Sequence, residues 1–240
     1  MYTIHTVVNT ILVSYMFFKE ERCEMETLKS SFFEIDEFTG NRSQFFDSVW
    51  VQTCQAYMNE EDDLWFRNAV RNRIGDSKGI VCAYVDGVMA GYVGYNVYWI
   101  RDEGKILYID IATCFTDFSH KRIIRQILGS FQGFDAIMLR TQNPNMADSL
   151  YQVAGHCEPL THLSESGKRV AEVIGRSCEN YNRETLICKG VYNGKCLTGQ
   201  EIRGRSWFDN EIYSRIKPSE GDAVILVAFT QERQILRVGF

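Results

Sequence analysis

Between Ile106 and Gly155 the chain carries strand and helix signals in a fixed order. ILYIDIAT reads as a strand, CFTDF as a loop, SHKRIIRQILGSF as a helix, FDAIMLRT as a second strand, and NPNMADSLYQVAG holds a short second helix from about Met146 to Val153. A strand that turns into a helix leaves unpaired backbone N–H groups at the helix start, where the aligned peptide dipoles leave partial positive charge. Such a start is a ready-made anion site. Within that helix Ile123, Ile124, Ile127, Leu128 and Phe131 repeat at helical spacing and predict a core stripe.

The flanking sequence extends the pattern. TLKSSFFEIDEF, residues 27–38, predicts a first strand, which Thr39-Gly40 ends. Phe46, Val49, Trp50, Cys54 and Tyr57 predict one face of a helix over 43–58, and a second helix is expected over 61–74. IVCAYV, Asp86-Gly87 and VMAGYVGYNVYWI make a hairpin, since Asp-Gly suits a two-residue turn. A turn at 102–104 leads into the strand at 106–113. Residues 166–240 hold a helix near 168–176, a strand at 185–192 and a strong last strand at 222–230. The fold class expected is α/β (α+β), with a mixed, mostly antiparallel central sheet flanked by helices. The expected organisation is an N-terminal extension (1–26), a main domain (27–165), and a C-terminal extension (166–240) that docks on or completes the sheet.

Composition narrows the partners. The formal net charge is −5, and a grip on nucleic acid through phosphates needs a basic surface, so no nucleic acid is expected. Acidic enzymes more often meet neutral or cationic substrates such as amines. The eight cysteines contain no CxxC pair and no zinc spacing. They are expected to be small buried hydrophobes in a reducing compartment, the cytoplasm, and no metal is expected. Residues 1–18 are apolar but interrupted by His5 and Asn9, with no basic lead and no cleavage site. They are expected to be a peripheral or non-native extension and not a membrane anchor.

The element order, together with Ser119-His120-Lys121-Arg122-Ile123-Ile124 and Asn143-Pro144-Asn145-Met146-Ala147-Asp148-Ser149-Leu150-Tyr151 up to Gly155, resembles the GNAT N-acetyltransferase superfamily. The resemblance covers roughly residues 28–165. It implies acetyl-CoA as co-substrate and an amine acceptor, either a small molecule or a lysine or N-terminal amine. In the family a Q/R-x-x-G-x-G/A turn holds the pyrophosphate. Here Ser119, His120, Lys121, Arg122, Ile123 and Ile124 take those places, with Arg122 and Ile124 where glycine is usual. Glycine lets backbone approach phosphate closely, while Arg122 can donate to it as a charged group. Ala112 and Cys114 on the preceding strand would complete the cofactor site. Asn143 and Asn145 correspond to the asparagine that bonds the pantetheine arm, and Tyr151 to the phenol that protonates the departing thiolate.

Asp110 is the candidate general base. Alternation puts Tyr108, Asp110 and Ala112 on one face, and a carboxylate between isoleucines is costly unless paired or functional. Glu103 and His120 are weaker candidates, both read as exposed. Tyr92, Tyr95, Tyr98 and Trp99 crowd one strand; core packing is the default, and outward members would line the acceptor cleft. No hydrolase, zinc-protease or Walker motif occurs. The function expected is an acetyl-CoA-dependent N-acyltransferase working by direct attack. Its alternative is a non-catalytic GNAT-like binding module that has lost CoA binding. Strand edges near the C-terminus could pair two copies into a homodimer.

Overall fold

A computed structural model describes residues 33–115, 118, 120–198 and 207–230. The apolar segment 1–18, the start of the first predicted strand and Ser119 lie outside the described residues. The elements run β1 (Phe33–Glu37), α1 (Arg42–Tyr57), α2 (Leu64–Asp76), β2 (Gly79–Val85), β3 (Val88–Ile100), β4 (Gly104–Cys114), α3 (His120–Ser130) and β5 (Ala136–Thr141). They continue with α4 (Pro144–Ala154), α5 (Glu165–Gly175), β6 (Asn180–Asn182), β7 (Ile187–Lys189), α6 (Trp207–Tyr213), a 3-10 turn (Pro218–Glu220) and β8 (Ala223–Phe229). The eight strands form one mixed, mostly antiparallel sheet in the order β1-β2-β3-β4-β5-β8-β7-β6. No helix among the described residues is long and apolar enough to cross a membrane.

Chain contacts divide the protein into two units, Met1–Glu34 with Tyr84–Met89, and Ile35–Ala83 with Ala90–Phe240. The described part of the first is the start of β1 and the β2–β3 turn, where Asp86 (φ 50°) and Gly87 (φ 79°) both take left-handed backbone. That pair of angles is what a two-residue turn matched to strand twist requires.

In the second unit, side-chain caps set the helix boundaries. Asn41 accepts from the Ser43 and Gln44 amides at the head of α1. Asp63 accepts from Phe66 N at the head of α2, and Ser164 Oγ from Gly167 N at the head of α5. α4 starts on Asn143, whose Oδ1 accepts from Asn145 N at 2.9 Å, with Pro144 in the first turn. It stops at Gly155, whose φ of 76° suits a residue without Cβ. One sheet face buries Ile106, Tyr108, Met138, Ile225 and Val227 against Val170, Ala171 and Ile174 of α5. Of the expected α3 stripe, Ile123, Ile124, Ile127 and Leu128 are all at most 3% exposed, whereas Phe131 lies past the end of the helix and is half-buried.

The register around β4 and β5 positions the site. The two strands are parallel from Ile106↔Ala136 to Ile109↔Leu139, and the pairing ends there. Beyond that point each strand stays with its outer neighbour. β4 pairs Ile111–Cys114 with Gly94–Gly91 of β3, and β5 pairs Arg140 and Thr141 with Ile225 and Val224 of β8. The sheet therefore opens between them. On the β3 side the register slips between Gly94↔Ile111 and Tyr95↔Ile109, leaving Asp110 as the extra residue of a bulge. Gly94 permits the close approach there, because a Cβ would stand 2.8 Å from Ile111 Cγ2.

Candidate active site

The opening is a cleft of about 290 Å³. One wall is β4 from Ile109 to Cys114, and the other is Leu139–Thr141 with the first turn of α4. Tyr57 at the end of α1 and Arg73 of α2 complete it, as do Phe115, Phe118, Leu197 and Thr198.

The inner edge of β4 has lost its strand partner, and side chains from the helices satisfy two of its carbonyls. Arg73 Nη1 donates to Asp110 O at 3.0 Å, and Tyr57 OH donates to Ala112 O at 2.9 Å. Carbonyls two residues apart on a strand point the same way, so both belong to one edge. Burial raises the Tyr57 pKa, with the Arg73 charge acting in the opposite sense. The phenol therefore keeps its proton through neutral pH. Asp110 is half-buried, and its Oδ1 accepts from Tyr108 OH at 3.3 Å. Burial first, and the Asp110 carboxylate second, push the Tyr108 phenol up, so it too remains a donor. Arg73 and Arg140 lie over the ring of the buried Tyr192, at 5.5 and 5.6 Å from its centroid. Cys114 faces the cleft as a protonated thiol, because burial pushes its pKa up to about 12.

The C-terminal third closes one side. Gln142 Nε2 donates to the Asp222 carbonyl at 2.7 Å, while its Oε1 accepts from Leu197 N at 2.6 Å. Asn59 Nδ2 donates to Leu197 O at 2.7 Å, and Lys195 pairs with Asp63 at 2.7 Å. The loop carrying Leu197 and Thr198 is thereby pinned at the cleft.

Five of the residues singled out in the sequence, Asp110, Ala112, Cys114, Asn143 and Asn145, meet in this cleft. Ser119 lies outside the described residues, as do the side chains of His120 and Lys121. Arg122 is half-buried, whereas Ile123 and Ile124 turn their side chains into the core. Tyr151 is half-buried and is not among the cleft-lining residues. α4 reaches the cleft with Asn143, Asn145 and Met146, and at 1.5 Å per residue Tyr151 lies about 12 Å further along the axis than Asn143. The phenol that does line the cleft is Tyr57, which arrives from a helix read only as core. Arg73, Arg140 and Gln142 were equally unmarked in the sequence.

Two other expectations are corrected. Glu103 is not an exposed loop carboxylate; it is fully buried and accepts from Arg169 Nε at 2.7 Å. The hairpin aromatics do not line the cleft: Tyr92 is core, Tyr95 and Tyr98 are half-buried, and Trp99 is 77% exposed.

No protein-family model and no curated sequence matches the chain. Solved structures with similarity include a conserved protein of unknown function from Enterococcus faecalis V583, a probable N-acyltransferase (9% identity, 52% of this chain and 32% of that one, TM-score 0.37). Another is a GNAT-family acetyltransferase from Bacillus cereus ATCC 10987 (13% identity, 56% and 90% coverage, TM-score 0.36). A third is an aminoglycoside acetyltransferase from an uncultured soil metagenomic sample, in complex with sisomicin (13% identity, 45% and 76% coverage, TM-score 0.34). The similarity to the Enterococcus protein spans about a third of that protein's length.

Proposed function

We propose that the chain is an acetyl-CoA-dependent N-acyltransferase that transfers an acetyl group to an amine by direct attack. The observation that carries this reading is the divergence of β4 and β5 after Ile109 and Leu139, with a carboxylate at the bulge and an anion-type helix start directly downstream. An extended thioester arm needs a strand edge with no neighbouring strand, and Asp110–Cys114 supply one, on which Arg73 and Tyr57 hold the Asp110 and Ala112 carbonyls. In this reading Ala112 and Cys114 hold the arm through their backbone, assisted by Asn143 and Asn145. Arg122 and the head of α3, with the Ser119-His120-Lys121 segment of the motif, take the diphosphate. Residues 27–165 then form the transferase domain, and 166–240 extend its sheet and supply the Leu197–Thr198 wall.

Asp110 is assigned as general base, accepting the proton of the acceptor amine directly or through a water it orders. Tyr57 takes the acid role first given to Tyr151, because its hydroxyl lies in the cleft. Passing its proton to a thiolate would break the bond to Ala112 O and free that carbonyl for the arm. Direct attack fits better than an acyl-enzyme, since Cys114 is held as a thiol and is a poor nucleophile.

Isothermal titration of the full chain with acetyl-CoA and with CoA tests the reading. Saturable binding of both is expected, followed by thiol release when an amine is added. Absence of heat at millimolar ligand would overturn it.

A further inference from the structure

Outside the cleft, two thiols and a guanidinium converge behind β5. Cys178 follows α5, and the β6–β7 hairpin returns the chain so that Cys188, opposite Tyr181, faces the same core cluster. Both sulfurs sit in this one cluster, each close enough to shift the other's titration. Arg140 Nη1 donates to Cys178 Sγ at 3.1 Å. Cys188 is fully buried, whereas Cys178 retains 8% exposure. Cys188 and the charge of Arg140 lower the Cys178 pKa against the effect of burial, while Cys178 and burial push Cys188 up. Cys178, in contact with the guanidinium, is thus the more nucleophilic sulfur of the pair, and Cys188 is the deeper one.

We propose that Cys178 and Cys188 form a two-electron redox site, in which Cys178 reacts with a peroxide and Cys188 resolves the product into a disulfide. The Cys178 sulfur attacks one oxygen of hydrogen peroxide; an S–O bond forms, the O–O bond breaks, and hydroxide leaves to be protonated by solvent. The Cys188 sulfur then attacks the sulfenic sulfur. An S–S bond forms, and the hydroxyl leaves as water with the Cys188 proton. Two electrons pass from the two sulfurs to the peroxide, and two waters result. The 8% exposure suits an oxidant as small as a peroxide. The consequence reaches the cleft, because oxidation changes the sulfur in contact with Arg140, a cleft-lining residue.

Peptide mapping tests this on the full chain without reference to catalysis. Trypsin cuts after Arg176, Arg183 and Lys189, so Cys178 and Cys188 fall on separate peptides, 177–183 and 184–189. Protein treated with hydrogen peroxide, then alkylated under denaturing conditions, should yield these two peptides joined, lighter by two hydrogens and separable by reductant. Cys188→Ser should stop at the sulfenic acid, with a dimedone adduct on Cys178. Arg140→Met should slow oxidation of Cys178 several-fold, because its thiolate loses a charged partner. The inference is overturned if Cys178 remains fully alkylatable after peroxide, or if Cys188→Ser traps no adduct on Cys178.

Discussion

Replacing Tyr57 with Phe separates the two things the phenol does. Its hydroxyl donates to Ala112 O at 2.9 Å, and its ring packs on Phe66 with centroids 5.4 Å apart. The substitution leaves the ring in place, so no cavity opens and only the hydrogen bond is lost. Ala112 is half-buried and borders the cleft, so water can replace the phenol on its carbonyl. The loss is then the net value of one neutral hydrogen bond, about 1 kcal/mol, and not the larger penalty of a sealed, unpaired carbonyl. For a chain of this size that corresponds to a fall in Tm of about 2–4 °C. Turnover should respond on a different scale, because removing a general acid costs roughly 10²–10⁴-fold in kcat. Acetyl-CoA affinity should hold or rise, since the Ala112 carbonyl no longer has to exchange partners. Initial rates of thiol release, thermal melts and titration with acetyl-CoA measure the three quantities on one protein. Unchanged kcat in Tyr57→Phe, with activity lost in Tyr151→Phe instead, would refute the assignment and return the acid role to α4.

Asp110→Asn should lower kcat/KM by about 10²–10⁴-fold. Its melt should stay near that of the parent, because the amide oxygen can still accept from Tyr108; a turnover loss below tenfold would remove Asp110 as base. Glu103→Gln should do the reverse. The amide oxygen can still accept from Arg169, but the buried guanidinium contact loses its countercharge, and with Arg169 half exposed the cost is about 1–3 kcal/mol, read as a lower Tm with kcat preserved. His156 carries a pH signature: its Nε2 accepts from Phe229 N at 3.0 Å, and burial lowers its pKa below the ordinary 6.5. The folded state therefore prefers the neutral ring. The contribution is complete above the unfolded-state pKa and is lost as pH falls from about 6.5 through the folded-state value. Melts across that window should show a slope that disappears in His156→Gln, and a slope retained in the variant would assign it elsewhere.

Local chemistry made the elements legible. Asp86-Gly87 fixes a turn, and Ile123, Ile124, Ile127 and Leu128 match the buried face of α3, while α4 starts two residues before the expected Met146 because Asn143 caps it. Five cleft residues were legible too, because they lie on β4 or at the head of α4, close in sequence to the motifs that mark them. What escaped is long-range. Arg73 and Tyr57 act on β4 from helices, Leu197 is held by Gln142 across 55 residues, and Glu103 meets Arg169 across 66. Nothing near Glu103 in sequence marks that partner, so a charged residue in a turn reads as exposed. Tyr151 stands away from the cleft lining for a different reason. Its place was taken by counting along a helix motif, and a count fixes depth along the axis without fixing which turn of the helix borders the cleft.

The bulge at Asp110 shows how little of the site a strand can encode alone. Its own alternation correctly put Asp110 beside Tyr108, yet the slipped register that singles it out depends on Gly94 letting β3 approach. The opening on the other edge depends on β8, which holds Arg140 and Thr141 away from β4 through Ile225 and Val224. Weakening β8 should therefore close the cleft before it unfolds the sheet, because β5 would be released to continue its parallel pairing along Asp110–Cys114. Ile225→Gly, in the strand that keeps β5 on its outer side, should lose acetyl-CoA binding at temperatures where circular dichroism still reports a folded sheet. Binding that survives until the global melt would mean that the divergence is set within β4 and β5 themselves.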